Sequence, residues 1–140
     1  MNEYKYDDLY LGLTESFEYI VTQERMDLFR ELSGDVNPLH NDAAFAQSKG
    51  FDDKVVYGLL SASLISRLGG VLLPGKYCLI QQVQCKFPSP AYVGDTLSVS
   101  GVVEELNDTV RQAVIGVTIK NQFNRKIVKA KLFVGFLGES

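Results

Sequence analysis

Residues 58 to 68 constrain the fold more than any other segment of the chain. Wound as a helix, Leu59, Leu60, Ala62, Leu64, Ile65 and Leu68 cover nearly the whole circumference, and most of the polar positions between them are small serines. A helix with so little polar surface belongs in the middle of something. It is a poor membrane span, because Ser61, Ser63, Ser66, Arg67 and the Gly69-Gly70 pair interrupt the apolar stretch from 55 to 73. What surrounds it comes later in the chain. Four β-like runs, 77–87, 95–104, 110–120 and 127–136, are separated by Pro88-Ser89-Pro90 with Gly94-Asp95, by Asn107-Asp108, and by residues 121–124. Connections this short imply antiparallel neighbours. With an earlier run at 16–21, the sequence predicts an α+β domain over residues 1–140, an antiparallel sheet of about five strands wrapped around one central apolar helix. Such a sheet keeps an open edge, and a second copy pairing along it would cover the unpaired backbone groups, so a homodimer is expected.

The first half carries the remaining helices. Thr22 suits an N-cap with Glu24 in the first turn, and Met26, Phe29 and Leu32 recur at helical spacing, which predicts a helix over 23–32. Ser33-Gly34-Asp35 ends it. Residues 35–40 read as irregular, with Pro38 pushing Asn37 out of the α region. A short helix over 43–48 follows, capped by Asp42 at its start and by Gly50 at its end.

Composition excludes several classes of function. The net charge of −3 gives no basic excess for releasing counterions from phosphates, so no nucleic-acid partner is expected. His40 is the one histidine of the chain, which rules out a multi-histidine metal site within it and routes any imidazole chemistry through position 40. The N-terminus has neither a basic nor an apolar signal-peptide region. Cys78 and Cys85 are seven residues apart in one predicted strand. On a regular strand that puts them on opposite faces and roughly 23 Å apart, too far for a disulfide. Two unpaired thiols and no export signal point to the cytoplasm, with no membrane attachment.

One dense polar run stands out: Ser33-Gly34-Asp35-Val36-Asn37-Pro38-Leu39-His40-Asn41-Asp42. An Asp can fix the tautomer of a nearby imidazole and raise its basicity, which suits general acid–base work. By spacing alone, the same residues also read as a polar loop with capping side chains. A second candidate is the start of the apolar helix at Tyr57-Gly58-Leu59. A helix N-terminus presents free N–H groups and partial positive charge, and a glycine there lets a carbonyl oxygen that is becoming negative approach the backbone. Gly58 could equally just ease a turn into the helix.

These residues resemble a known family. Ser33-Gly34-Asp35-Val36-Asn37-Pro38-Leu39-His40 looks like the hydratase motif of the MaoC-like (R)-specific enoyl-CoA hydratases, and Val56-Tyr57-Gly58-Leu59-Leu60-Ser61-Ala62-Ser63-Leu64 resembles their entry into the central helix. Leu73-Pro74-Gly75 and Pro90-Ala91-Tyr92-Val93-Gly94-Asp95 match later landmarks, so the resemblance spans residues 10 to 137. It implies a hot-dog fold and a homodimer with an acyl-thioester tunnel near the subunit interface. It also implies reversible syn addition of water to a trans-2-enoyl thioester, giving an (R)-3-hydroxyacyl thioester. Carried over by position, Asp35 and His40 are the catalytic pair and the Gly58 amide is the oxyanion donor. Asn37 braces the loop, and Ser66 matches a family serine near the catalytic Asp. No metal or redox cofactor is implied; CoA or acyl carrier protein belongs to the substrate. Many relatives have His before the glycine where this chain has Tyr57, which could add an O–H donor to the pocket or pack against it; packing is the expectation. Two other activities fit the same fold: a hot-dog acyl-thioester hydrolase, and a non-catalytic acyl-thioester binding subunit of a hetero-oligomeric dehydratase.

Overall fold

The computed structural model describes residues 1–138. In chain order the elements are β1 (Thr14–Ile20), α1 (Gln23–Ser33), α2 (Pro38–Asn41), α3 (Ala43–Ser48), α4 (Gly58–Arg67), β2 (Cys78–Lys86), β3 (Thr96–Asn107), β4 (Gln112–Lys120) and β5 (Lys126–Phe136). The strands form one five-stranded antiparallel sheet in the order β1-β3-β4-β5-β2. β3, β4 and β5 pair as consecutive hairpins, as the short turns between them require, but the connection at 87–95, expected to join antiparallel neighbours, crosses the sheet instead, because β2 pairs with β5 and not with β3. The long α-helical segment between β1 and β2 lets these two take opposite edges.

The helix over 58–68 forms as expected, but the sheet closes over one side of it. Leu60, Ser61, Leu64 and Ile65 are buried in α4. They meet a sheet face made of fully buried Leu97, Val99, Ile115, Ile119, Leu132 and Val134. Leu59 remains 68% exposed, and Ser63 and Ser66 lie on open surface. A single sheet can wrap one flank of a helix, so the apolar residues on the other flank stay uncovered within one chain. Close contact on the covered flank depends on Gly101 of β3, where a Cβ would come 2.7 Å from Leu68 Cδ2. The α-helix stops at Arg67, one residue short of the predicted end, and widens there into a π-turn over Leu68–Leu72.

Three other expectations need correction. Residues 35–40 are not wholly irregular: Pro38–Asn41 make the one-turn helix α2, with the Asn37 side chain accepting from the Leu39 N–H as N-cap. Pro38 starts this helix without penalty, since the first helical N–H has no intrahelical acceptor. At the end of α3 the cap is Lys49, and Gly50 follows it with φ +94. The two cysteines do not face opposite ways. The β2–β5 register slips between Ile80 and Gln82, a bulge at Gln81 that shifts the alternation by one residue. Cys78 and Cys85 therefore both pack against the core. Thr22 caps α1 as expected, accepting from Arg25 N–H at 3.2 Å.

Candidate active site

The site is built where α1, α2 and the start of α4 converge. Gly34 ends α1 in the left-handed region at φ +72, donating its N–H to Arg30 O at 2.8 Å. That reversal carries Asp35 back across the top of the helix. Ser33 then ties the turn on both sides: its hydroxyl donates to Phe29 O and accepts from Asp35 N–H. The Asp35 carboxylate accepts from Asn37 N–H at 3.0 Å. Asn37 thus holds the loop through its backbone on one side and caps α2 with its side chain on the other.

His40 sits at the end of α2 against the chain that leads into α4. Val55 N–H donates to Leu39 O at 3.1 Å, and His40 Nδ1 lies 2.6 Å from Val55 O. A carbonyl oxygen can only accept, so Nδ1 carries the hydrogen. In the neutral ring this assignment leaves the Nε2 lone pair free to take a proton. The Val55–Val56 segment is itself pinned, by a bridge from Val55 to Tyr92 and by Val56 N–H to Ala91 O at 2.8 Å. The imidazole is therefore held from behind by backbone that belongs to the core.

Gly58 opens α4. Its N-cap, Tyr57, offers no side-chain acceptor to the first turn. Tyr57 is 2% exposed, with its ring 4.3 Å from the His40 ring and 4.8 Å from the Phe29 ring. Its hydroxyl is bonded as well, donating to Asp35 O at 2.6 Å and accepting from Asn41 Nδ2 at 3.1 Å. A cavity of about 390 Å³ is lined by Phe29, Ser33, Asp35, His40, Tyr57 and Phe87 with Gly58 and Leu59. A second, of about 350 Å³, shares His40, Gly58 and Phe87 and is otherwise mostly apolar. The two cavities meet at His40, Gly58 and Phe87; Asp35 lines only the first, and Pro88, Pro90 and Ile127 line only the second. This arrangement can hold a small polar reactant between an acid and a base, keep a carbonyl oxygen near a helix N-terminus, and shelter an apolar tail.

Asp35, His40, Tyr57 and Gly58 thus line one cavity, with Asn37 behind them. Ser66 is not among them. It lies eight residues beyond Gly58, about 12 Å along α4 by the rise of 1.5 Å per residue, on the exposed flank. Three site residues went unmarked in the sequence. Asn41 links Tyr57, Asn37 O and Arg30; Phe87 forms the wall against Gly58; Phe29 backs Tyr57. Asn41 stands inside the polar run, but no spacing rule separates it from its neighbours.

The sequence profile of the MaoC like domain matches residues 13–125. The 3-hydroxybutyryl-CoA dehydratase of Methylorubrum extorquens is 33% identical over 113 residues, which are 81% of this chain and 72% of that protein. The (R)-specific enoyl-CoA hydratase of Aeromonas caviae is 41% identical over 80 residues, 57% of this chain and 60% of the relative. Among solved structures, the (R)-hydratase from A. caviae involved in PHA biosynthesis superposes with a TM-score of 0.86 at 31% identity, covering 91% of this chain and 96% of that one. The helix cradled in a five-stranded sheet, the loop that joins Asp35 to His40 and the profile match over most of the length lead to one assignment: the chain belongs to the MaoC-like domain family.

Proposed function

We propose that this chain is an (R)-specific enoyl thioester hydratase, adding water reversibly and syn to a trans-2-enoyl thioester to give an (R)-3-hydroxyacyl thioester. The observation that carries the reading is the shared cavity: Asp35, His40 with its Nδ1 held on Val55 O, and Gly58 at the start of α4 line one space. Asp35 and His40 grip a water molecule. As its oxygen bonds to C3, one of its protons passes to this pair, and the pair returns a proton to C2 on the same face. The Gly58 amide donates to the thioester oxygen while negative charge collects there. General acid–base help of this kind contributes about 10²–10⁴-fold, and one oxyanion donor about 2.7–4 kcal/mol. The substrate is acyl-CoA or acyl carrier protein thioester; the relatives carry names of both kinds. Two free thiols suit a reducing compartment such as the cytoplasm.

A homodimer paired along β2 completes this site. The β2 edge leaves Leu79, Ile80, Val83 and Phe87 between 41% and 48% exposed, a strip that a second copy would cover. Gly58 abuts Phe87, and Gly69 abuts Cys78 and Ile80, so α4 runs alongside β2 in the opposite sense. A two-fold axis through the middle of β2 then sets the Ser66 end of one α4 beside the Gly58 end of the other. In that arrangement Ser66 would face the Asp35 loop of the second copy, in keeping with the serine that the family resemblance implies near the catalytic Asp.

The test is hydration of crotonyl-CoA, followed by loss of the conjugated thioester absorbance. The wild type should be active, and His40→Ala and Asp35→Asn should each lose about 10²-fold or more. Near-wild-type rates in both variants would overturn the assignment. Release of free thiol in place of hydration would point to hydrolysis.

A further inference from the structure

We propose that Tyr57 is a positioning residue that fixes Asp35 and His40 relative to each other, one through its hydroxyl and the other through its ring. This rests on the hydratase reading above. The two acid–base residues sit on separate short pieces of chain. Asp35 lies on the exposed turn after α1, and His40 at the end of a one-turn helix that has no length of its own to keep it rigid. Something outside both pieces must set their separation. Tyr57 touches each. Its hydroxyl donates to the Asp35 backbone oxygen at 2.6 Å, and its ring lies 4.3 Å from the imidazole at an interplanar angle of 31°.

The residue that does this must itself be fixed, and Tyr57 is. It is 2% exposed, and Phe29 of α1 lies 4.8 Å from its ring. Its hydroxyl accepts from Asn41 Nδ2 at 3.1 Å; the same amide group donates to Asn37 O, while Asn41 Oδ1 accepts from Arg30 of α1 at 3.0 Å. One phenol is thereby joined to α1, to α2 and to the loop between them. The bond to Asp35 O is made by the para hydroxyl alone, so it depends on this side chain being Tyr. It engages neither the Asp35 carboxylate, which accepts from Asn37 N–H, nor His40 Nε2.

The chain has a single histidine, so its ring can be watched by NMR without assignment ambiguity. Tyr57→Phe keeps the ring and removes the hydroxyl. The expected result is a fall of about tenfold or more in kcat on crotonyl-CoA with KM changed by less than about threefold, since orientation and not binding is lost. The His40 ring nitrogen and Cδ2 proton signals should shift or broaden as the loop samples more than one arrangement. Asn41→Ala acts on the hydroxyl from the far side and should move both readouts in the same direction by a smaller factor; it also serves if Tyr57→Phe fails to fold. Wild-type kcat and an unmoved imidazole signal in the folded variants, with only a lower melting temperature, would overturn the proposal by leaving Tyr57 a structural role alone. If the wild type hydrates no thioester, the hydratase reading fails, while the imidazole signal still tests whether Tyr57 positions His40.

Discussion

Gly58 shows what a single atom decides at this site. A Cβ there would lie 3.2 Å from Phe87 Cε1 and 3.3 Å from Cδ1, so Gly58→Ala forces the ring to move within a wall that both cavities share. Phe87 is 48% exposed and can yield. Ala also restricts the unfolded chain, which favours folding by about 0.4–1 kcal/mol where its backbone is unstrained. The variant should therefore melt within a few degrees of wild type yet lose several-fold or more in kcat/KM on crotonyl-CoA; thermal unfolding and initial rates check both halves. At this scale the sequence marked Asp35, His40 and Gly58 through their place in a polar run and at a helix start, but by spacing alone these also read as capping and turn residues. It offered the hydroxyl of Tyr57 as a donor to the pocket, not to the backbone of Asp35. Its acceptor lies 22 residues away, and no local pattern encodes a bond of that span.

Among the elements, β2 departs furthest from its pattern. One extra residue at Gln81 turns two predicted opposite-facing thiols to the same side. Bulges of this kind leave little mark in composition, so alternation counted along the strand goes out of phase without warning. The consequence is measurable. Burial pushes the Cys78 thiol up to about 11 and raises that of Cys85. A thiol reagent at pH 8 should label both slowly in the folded protein and both rapidly once denaturant is added; fast labelling of Cys78 in the native state would contradict the inward orientation. The apolar segment 58–68 was the most legible element, because its composition leaves a helix few other places to go. Leu68, wholly buried against Gly101, should cost about 2–5 kcal/mol when changed to Ala, read from urea unfolding.

For the whole molecule, the sheet covers one flank of α4 and stops, leaving Leu59 68% exposed beside an open β2 edge that carries Val83 at 43%. Covering both strips at once is what a two-fold partner would do, so Val83→Lys should shift sedimentation toward the monomer and lower activity with it. The proposed geometry also predicts complementation. In a mixed dimer of His40→Ala and Ser66→Ala chains, one of the two sites holds an intact His40 and an intact Ser66, so mixing should recover activity that neither variant dimer has; no recovery would place Ser66 outside the site. By itself, the sequence determined the helix, the strands, the antiparallel pairing of the last three of them and the residues able to do acid–base chemistry, because these follow from local periodicity, turns, caps and side-chain type. The tertiary structure alone decided which of those residues meet. It set the phase of β2 through a bulge, bound Asp35 to Tyr57, and left Ser66 on an open flank, because contacts between distant segments depend on how the sheet closes around α4.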